Sequence, residues 1–266
     1  MKTHISRLLP AAAAVLALGF ASACGGSGSG AADGEDVKEP GQTGASSSAS
    51  SSAAPAPART TPAEPARTLS REELEKGALR TADVSGYTVK TPSKEEVSGA
   101  GREKADRAEC QPIASVIGGV PQPEPAEMVY RQFITTSEDE EAGGLILFEM
   151  LGAYEQESAN RLMEGLRKAV KACAGGFTTK TGGDTSRYSG VRELTAPTGA
   201  DDALAYQVDG DFEGDRVPLL FKAVRSGSSV AIFYSMNLMD FAEPGIPQSV
   251  VTAQVEKLEE FGKPKG

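Results

Sequence analysis

The residues of this chain that can do chemistry are few in kind: three cysteines, one histidine and an abundance of carboxylates. The histidine is His4, inside an N-terminal stretch that reads as a removable leader. Without it the chain has no Ser-His-Asp or Cys-His arrangement, no imidazole proton shuttle and no histidine-based zinc set. No serine beyond that leader has a lysine three residues on, and no Gly-x-x-x-x-Gly-Lys phosphate loop occurs. The acids "DGDFEGD", Asp209 to Asp215, alternate ahead of Gly214 like the opening of a calcium loop. The twelfth position, however, is Leu220, where such a loop needs a glutamate. Alternation is expected to set Asp209, Asp211 and Glu213 on one solvated strand face. The catalytic class left open is a cell-envelope hydrolase using paired carboxylates, although the sequence selects no pair. No metal and no cofactor is expected, and the reading favoured here is not an enzyme.

The first cysteine has a telling context. Lys2 and Arg7 precede an apolar run from Leu8 to Phe20, too short for a comfortable membrane span, and Ala21-Ser22-Ala23 follows. Residues 1–23 therefore read as a signal peptide. Cys24 comes immediately after the small residues, with Gly25 and Gly26 behind it. The arrangement resembles a bacterial lipobox, which implies a diacylglyceryl group on the Cys24 thiol and cleavage just before it. The expected location is the extracytoplasmic face of the cell membrane, held there by the lipid.

Residues 24–68 read as the lipidated cysteine and a disordered linker. After Cys24, Val37 is the one large aliphatic residue there, and "GASSSASSSAAPAPARTTPAEPAR" is all small, polar or proline-rich. Such a segment cannot bury enough apolar surface to offset its ordering entropy. The whole chain carries a formal charge of −10, and loss of Lys2 and Arg7 makes the remainder more acidic. That balance argues against a nucleic-acid partner and against a polybasic membrane patch.

Residues 69–266 remain as a single domain. Ser70 and Glu73 form a capping box ahead of "SREELEKGAL". "YTVK" is a strand, and the charged residues 94–107 read as a loop or a poorly anchored helix. Pro112 opens a short helix with Ile113, Val116 and Ile117 on one face. "EMVYRQFITT" and "GLILFEMLGAY" are strands joined by the acidic tip "SEDEEAG". In "QESANRLMEGLRKAVKAC", Ala159, Leu162, Met163, Leu166, Ala169, Val170 and Cys173 follow helical spacing. Residues 203–236 read as a three-stranded meander, and "PQSVVTAQVEKLEEF" closes the chain as a helix. The fold class is therefore α+β: an antiparallel sheet of about five to seven strands packed by amphipathic helices.

With Cys24 lipidated, Cys110 and Cys173 are an even pair in an oxidising compartment, 63 residues apart, and are expected to form a disulfide. "CQPI" leading into "EMVYRQF", then "QESANRLMEGLRKAVKAC", paired strands and a last helix together resemble the extracellular sensor domains of PknH-type mycobacterial kinases and their actinobacterial lipoprotein relatives. The resemblance spans roughly residues 75–262. It implies an antiparallel sheet flanked by helices, a cleft for a small ligand, and the Cys110–Cys173 bridge; the second disulfide of the kinase sensors has no cysteines here. The expected function is a lipid-anchored, non-catalytic binding or sensor-like domain. Its expected partners are the membrane, through the lipid, and a small molecule, an envelope component or a protein.

Overall fold

The computed structural model describes residues 67–93, 96–97, 102–136, 144–237 and 245–262. The chain divides into two units, Met1–Arg59 and Thr60–Gly266, and every described residue belongs to the second. The signal peptide, Cys24, nearly all of the linker and the acidic tip 137–143 lie outside the described residues.

One continuous antiparallel sheet organises the second unit. Its strands are β1 (Tyr87–Lys90), β2 (Lys104–Ala105), β3 (Glu127–Thr135), β4 (Leu145–Ala153), β5 (Phe177–Thr181), β6 (Asp184–Leu194), β7 (Asp202–Phe212), β8 (Asp215–Ser226) and β9 (Ser229–Asn237). Their spatial order is β1-β3-β4-β9-β8-β7-β6-β5-β2. Nine strands replace the expected five to seven. The meander over 203–236 is present as β7, β8 and β9. The strands missed are β2, only two residues long, and the hairpin β5–β6, whose outward positions are polar and whose inward ones reduce to Phe177, Thr179, Tyr188 and Val191. So few apolar alternations leave little period-two signal.

Among the described residues, four α-helices cover the sheet: α1 (Arg71–Gly77), α2 (Gln111–Ile117), α3 (Gln156–Ala172) and α4 (Gln248–Gly262). In α1 the capping box is complete: Ser70 Oγ accepts from the Glu73 N–H at 3.4 Å and the Glu73 carboxylate accepts from the Ser70 N–H at 3.1 Å. Arg67 also grips Glu73 with two bonds of 2.8 Å, holding that carboxyl down at about 2.

Because strand side chains alternate, the sheet carries two cores. On the first face, α2 and α3 pack over Met150, Tyr206, Leu219, Phe221 and Ile232. On the second, α1 and α4 pack over Val129, Phe133, Leu147, Leu151, Val224 and Phe233. Cys110 and Cys173 are joined in a disulfide with Cα atoms 5.9 Å apart, both fully buried. The bridge ties the start of α2 to the end of α3. Just beyond it Gly176, at φ +88°, brings the chain so close to β6 that a Cβ would lie 2.3 Å from the Tyr188 carbonyl oxygen. Only glycine tolerates both demands.

Candidate functional site

Towards the β1 edge, the first face of the sheet is left partly uncovered by α2 and α3. Four side chains in register cross it. Tyr206 on β7 pairs with Phe221 on β8, Phe221 with Tyr234 on β9, and Tyr234 with Phe148 on β4. The first two rings stack at 4.9 Å and 10°, and Phe221 meets Tyr234 at 5.1 Å. The row begins in the core, where Tyr206 and Phe221 are fully buried, and emerges at Tyr234 and Phe148, which are half-buried. Cross-strand aromatic pairs of this kind stabilise the sheet while keeping ring faces in fixed positions.

Where the row emerges it forms the floor of a groove of about 160 Å³. Tyr130, Phe148, Met150 and Tyr234 line it from the sheet, and Val116, Ile117 and Gly119 from α2 and its C-terminal turn. Met236, in contact with the Tyr234 hydroxyl, and Met128, two residues before Tyr130 on β3, are partly buried against the same core. Both tyrosine hydroxyls already have partners: Tyr130 Oη donates to the Gly119 carbonyl at 3.0 Å, and Tyr234 Oη contacts Met236 Sδ at 2.8 Å. Burial raises the pKa of both phenols, so they remain neutral across the physiological range. Glu96 and Val97, ahead of β2 in the chain, also line the groove. The groove therefore offers ring faces, thioethers and aliphatic carbon, and accepts an apolar or aromatic group.

The disulfide has a bearing on this geometry. Cys110 leads directly into α2, and the far end of that seven-residue helix is the groove wall. The bridge thus fixes a wall that so short a helix could not hold by its own backbone bonds. Of the residues singled out from sequence, Cys110 and Cys173 meet at the start of α2 and Cys24 lies outside the described residues. The aromatic row was not legible as a site, because each of its members reads simply as an inward position of a strand.

The acidic candidates are placed elsewhere. Asp209 and Asp211 lie on β7, but Glu213 occupies the two-residue turn with Gly214, at φ +56°. The expectation of three acids on one solvated strand face is corrected accordingly. Asp209 is not simply solvated: it accepts from Arg216 at 2.7 Å and from Gln207 at 2.6 Å. A second cleft, of about 510 Å³, lies beside α1 and includes Glu72 and Glu75 in its lining. Each of these pairs with a cation, Glu72 with Lys76 at 2.6 Å and Glu75 with Arg131 at 2.7 Å. The Lys76 hydrogen bond holds the Glu72 carboxyl below its ordinary range, the opposite of what a general acid needs. Among the described residues no helix is long and apolar enough to cross a membrane.

No family model matches the sequence, and no curated protein matches it. Among solved structures, the chain is similar to the crystal structure of the extracellular domain of PknH from Mycobacterium tuberculosis. The similarity covers 73% of this chain and 97% of that one, at 10% sequence identity and a TM-score of 0.46.

Proposed function

We propose that this chain is a lipid-anchored, extracytoplasmic binding domain of the sensor type, and that the groove on the first sheet face receives its ligand. The observation that supports this reading is the emergence of a buried aromatic row into an apolar groove whose wall is held by a disulfide. An apolar cavity of about 150 Å³ is enough for a benzene-sized molecule. The group received is therefore a short alkyl or single-ring portion of a ligand, not an entire lipid.

A series of straight-chain alcohols, from butanol to octanol, tests the site by calorimetry. Affinity is expected to rise about fourfold per methylene, the equivalent of ~0.8 kcal/mol, until the groove is filled, and then level off. Phe148→Glu is expected to abolish the rise. Absence of any chain-length dependence in the wild type would remove the groove as a binding site.

Anchoring rests on Cys24 and is tested separately. Cys24→Ser is expected to move the protein from the membrane fraction to the soluble fraction. Mass spectrometry of the wild-type N-terminus should find an acylated cysteine, and an unmodified Cys24 would defeat the lipoprotein reading.

A further inference from the structure

The second sheet face holds a carboxyl group that no packing argument explains. Glu149, on β4 between Leu147 and Leu151, is fully buried, and neither of its oxygens has a hydrogen-bond partner. Its cross-strand neighbours are Arg131 on β3 and Phe233 on β9. Directly opposed residues in an antiparallel pair have Cβ atoms about 4.5–5.5 Å apart, so the Arg131 guanidinium has Glu149 within reach.

Arg131 is nevertheless turned away. It donates to the Leu79 carbonyl at 3.2 Å, the Tyr130 carbonyl at 2.8 Å and Thr91 Oγ1 at 3.4 Å. It also donates to Glu75, to the carboxylate at 2.7 Å and to the backbone carbonyl at 3.4 Å. Three of these bonds hold α1 and Leu79, two residues past its end, onto the sheet. Gln254 of α4 supplies the other clasp, donating to the Gly77 carbonyl at 2.8 Å and accepting from the Leu79 N–H at 3.2 Å.

We propose that Arg131 is a two-position clasp, holding α1 through Glu75 and Leu79 while Glu149 is protonated and turning to Glu149 when that carboxyl ionises. The device is a proton-sensitive release of α1, the first helix of the domain. An unpaired carboxylate at Glu149 would be costly in this apolar setting, and the cation directly opposite it is the Arg131 guanidinium, which must give up its bonds to Glu75 and Leu79 to reach it.

Among the described residues, the other charges facing Glu149 are occupied. From α4 comes Lys257, which pairs with Asp83 of the 3-10 turn Thr81–Asp83. From α1 comes Glu75, held by Arg131. β9 contributes Phe233 and Ser235, neither of which titrates in this range. One strand further, Lys222 of β8 donates to the Ile246 carbonyl at 2.7 Å. Desolvation is the largest influence on Glu149; the charges of Arg131 and Lys257 oppose it, and the carboxyl is pushed up to about 8. The sign follows from linkage. The folded state favours the protonated acid more than the unfolded state does, so stability is fully present below the ordinary carboxyl value. It falls as pH rises from there towards about 8.

The test is hydrogen exchange of the α1 amides and the Leu79 amide in the full-length protein, expressed as protection factors at pH 6, 7, 8 and 9. Protection is expected to fall about tenfold between pH 7 and 9 in the wild type and to stay level in Glu149→Gln. Constant protection in the wild type, or an equal fall in both proteins, would overturn the proposal. A carbon-13 titration of the wild-type Glu149 carboxyl keeps the test independent of the variant's folding. A midpoint near 8 supports the clasp, and one below 6 eliminates it.

Discussion

Replacing Phe221 by alanine is expected to lower the unfolding free energy by about 3–5 kcal/mol. Phe221 is fully buried on the second strand of the aromatic row, stacked on Tyr206 at 4.9 Å and set against Tyr234 at 5.1 Å. Its removal opens a cavity between two rings that cannot close without shifting β7 or β9. Phe148→Ala, at the emerging end of the same row, is expected to cost under about 1.5 kcal/mol, because its ring is only partly buried and already meets the groove. Denaturant midpoints of the two variants measure the contrast directly. Equal losses would show that Phe148 is core and that the groove is not a binding surface.

Joint replacement of Cys110 and Cys173 by serine is expected to destabilise the domain by about 2–4 kcal/mol. The bridge closes a long loop, with a sequence separation of 63 residues, and it is fully buried against α3. Two serine hydroxyls left in an apolar pocket place the loss towards the upper end of that range. Binding at the groove should weaken as well, because α2 loses the covalent hold at its first turn. Thermal unfolding of reduced and oxidised wild-type protein checks the first effect. The alcohol series applied to the double variant checks the second. Unchanged stability on reduction would remove the bridge from this account of the fold.

These expectations differ in how far the sequence alone discloses them. The long helix α3 is legible because its apolar positions recur at helical spacing and its charged positions face the other way. The cap at Ser70 is legible because two side chains three apart complete it without any tertiary contact. The meander of β7, β8 and β9 announces itself through alternation and its glycine-bearing turns. β5 and β6 do not, because their stabilisation comes from ladder bonds and from Phe177 stacked on Tyr188 at 4.8 Å, not from an apolar run. β2 is two residues whose pairing with β5 no local pattern encodes.

The site was less legible than the fold. Tyr206, Phe221, Tyr234 and Phe148 come from four strands, and only register makes them a row. Glu149 is the charged residue within "GLILFEMLGAY", and for such a residue on a strand an outward position is the ordinary expectation. The helices α1 and α4 cover that face as well, which turns the position into an interior one. A strand that reads as nearly continuous apolar sequence is the signal that both faces are covered, and the glutamate is the exception within it.

Methyl groups of the methionines report on the groove most directly. Carbon-13 methyl spectra of the protein, recorded while n-hexanol is added, should show Met150, Met128 and Met236 shifting together along one saturable curve. Met163, fully buried within the core beneath α3, should stay in place. Shifts spread evenly over all four methyls, or none at any of them up to the solubility limit of hexanol, would contradict the assignment of the groove as the ligand site.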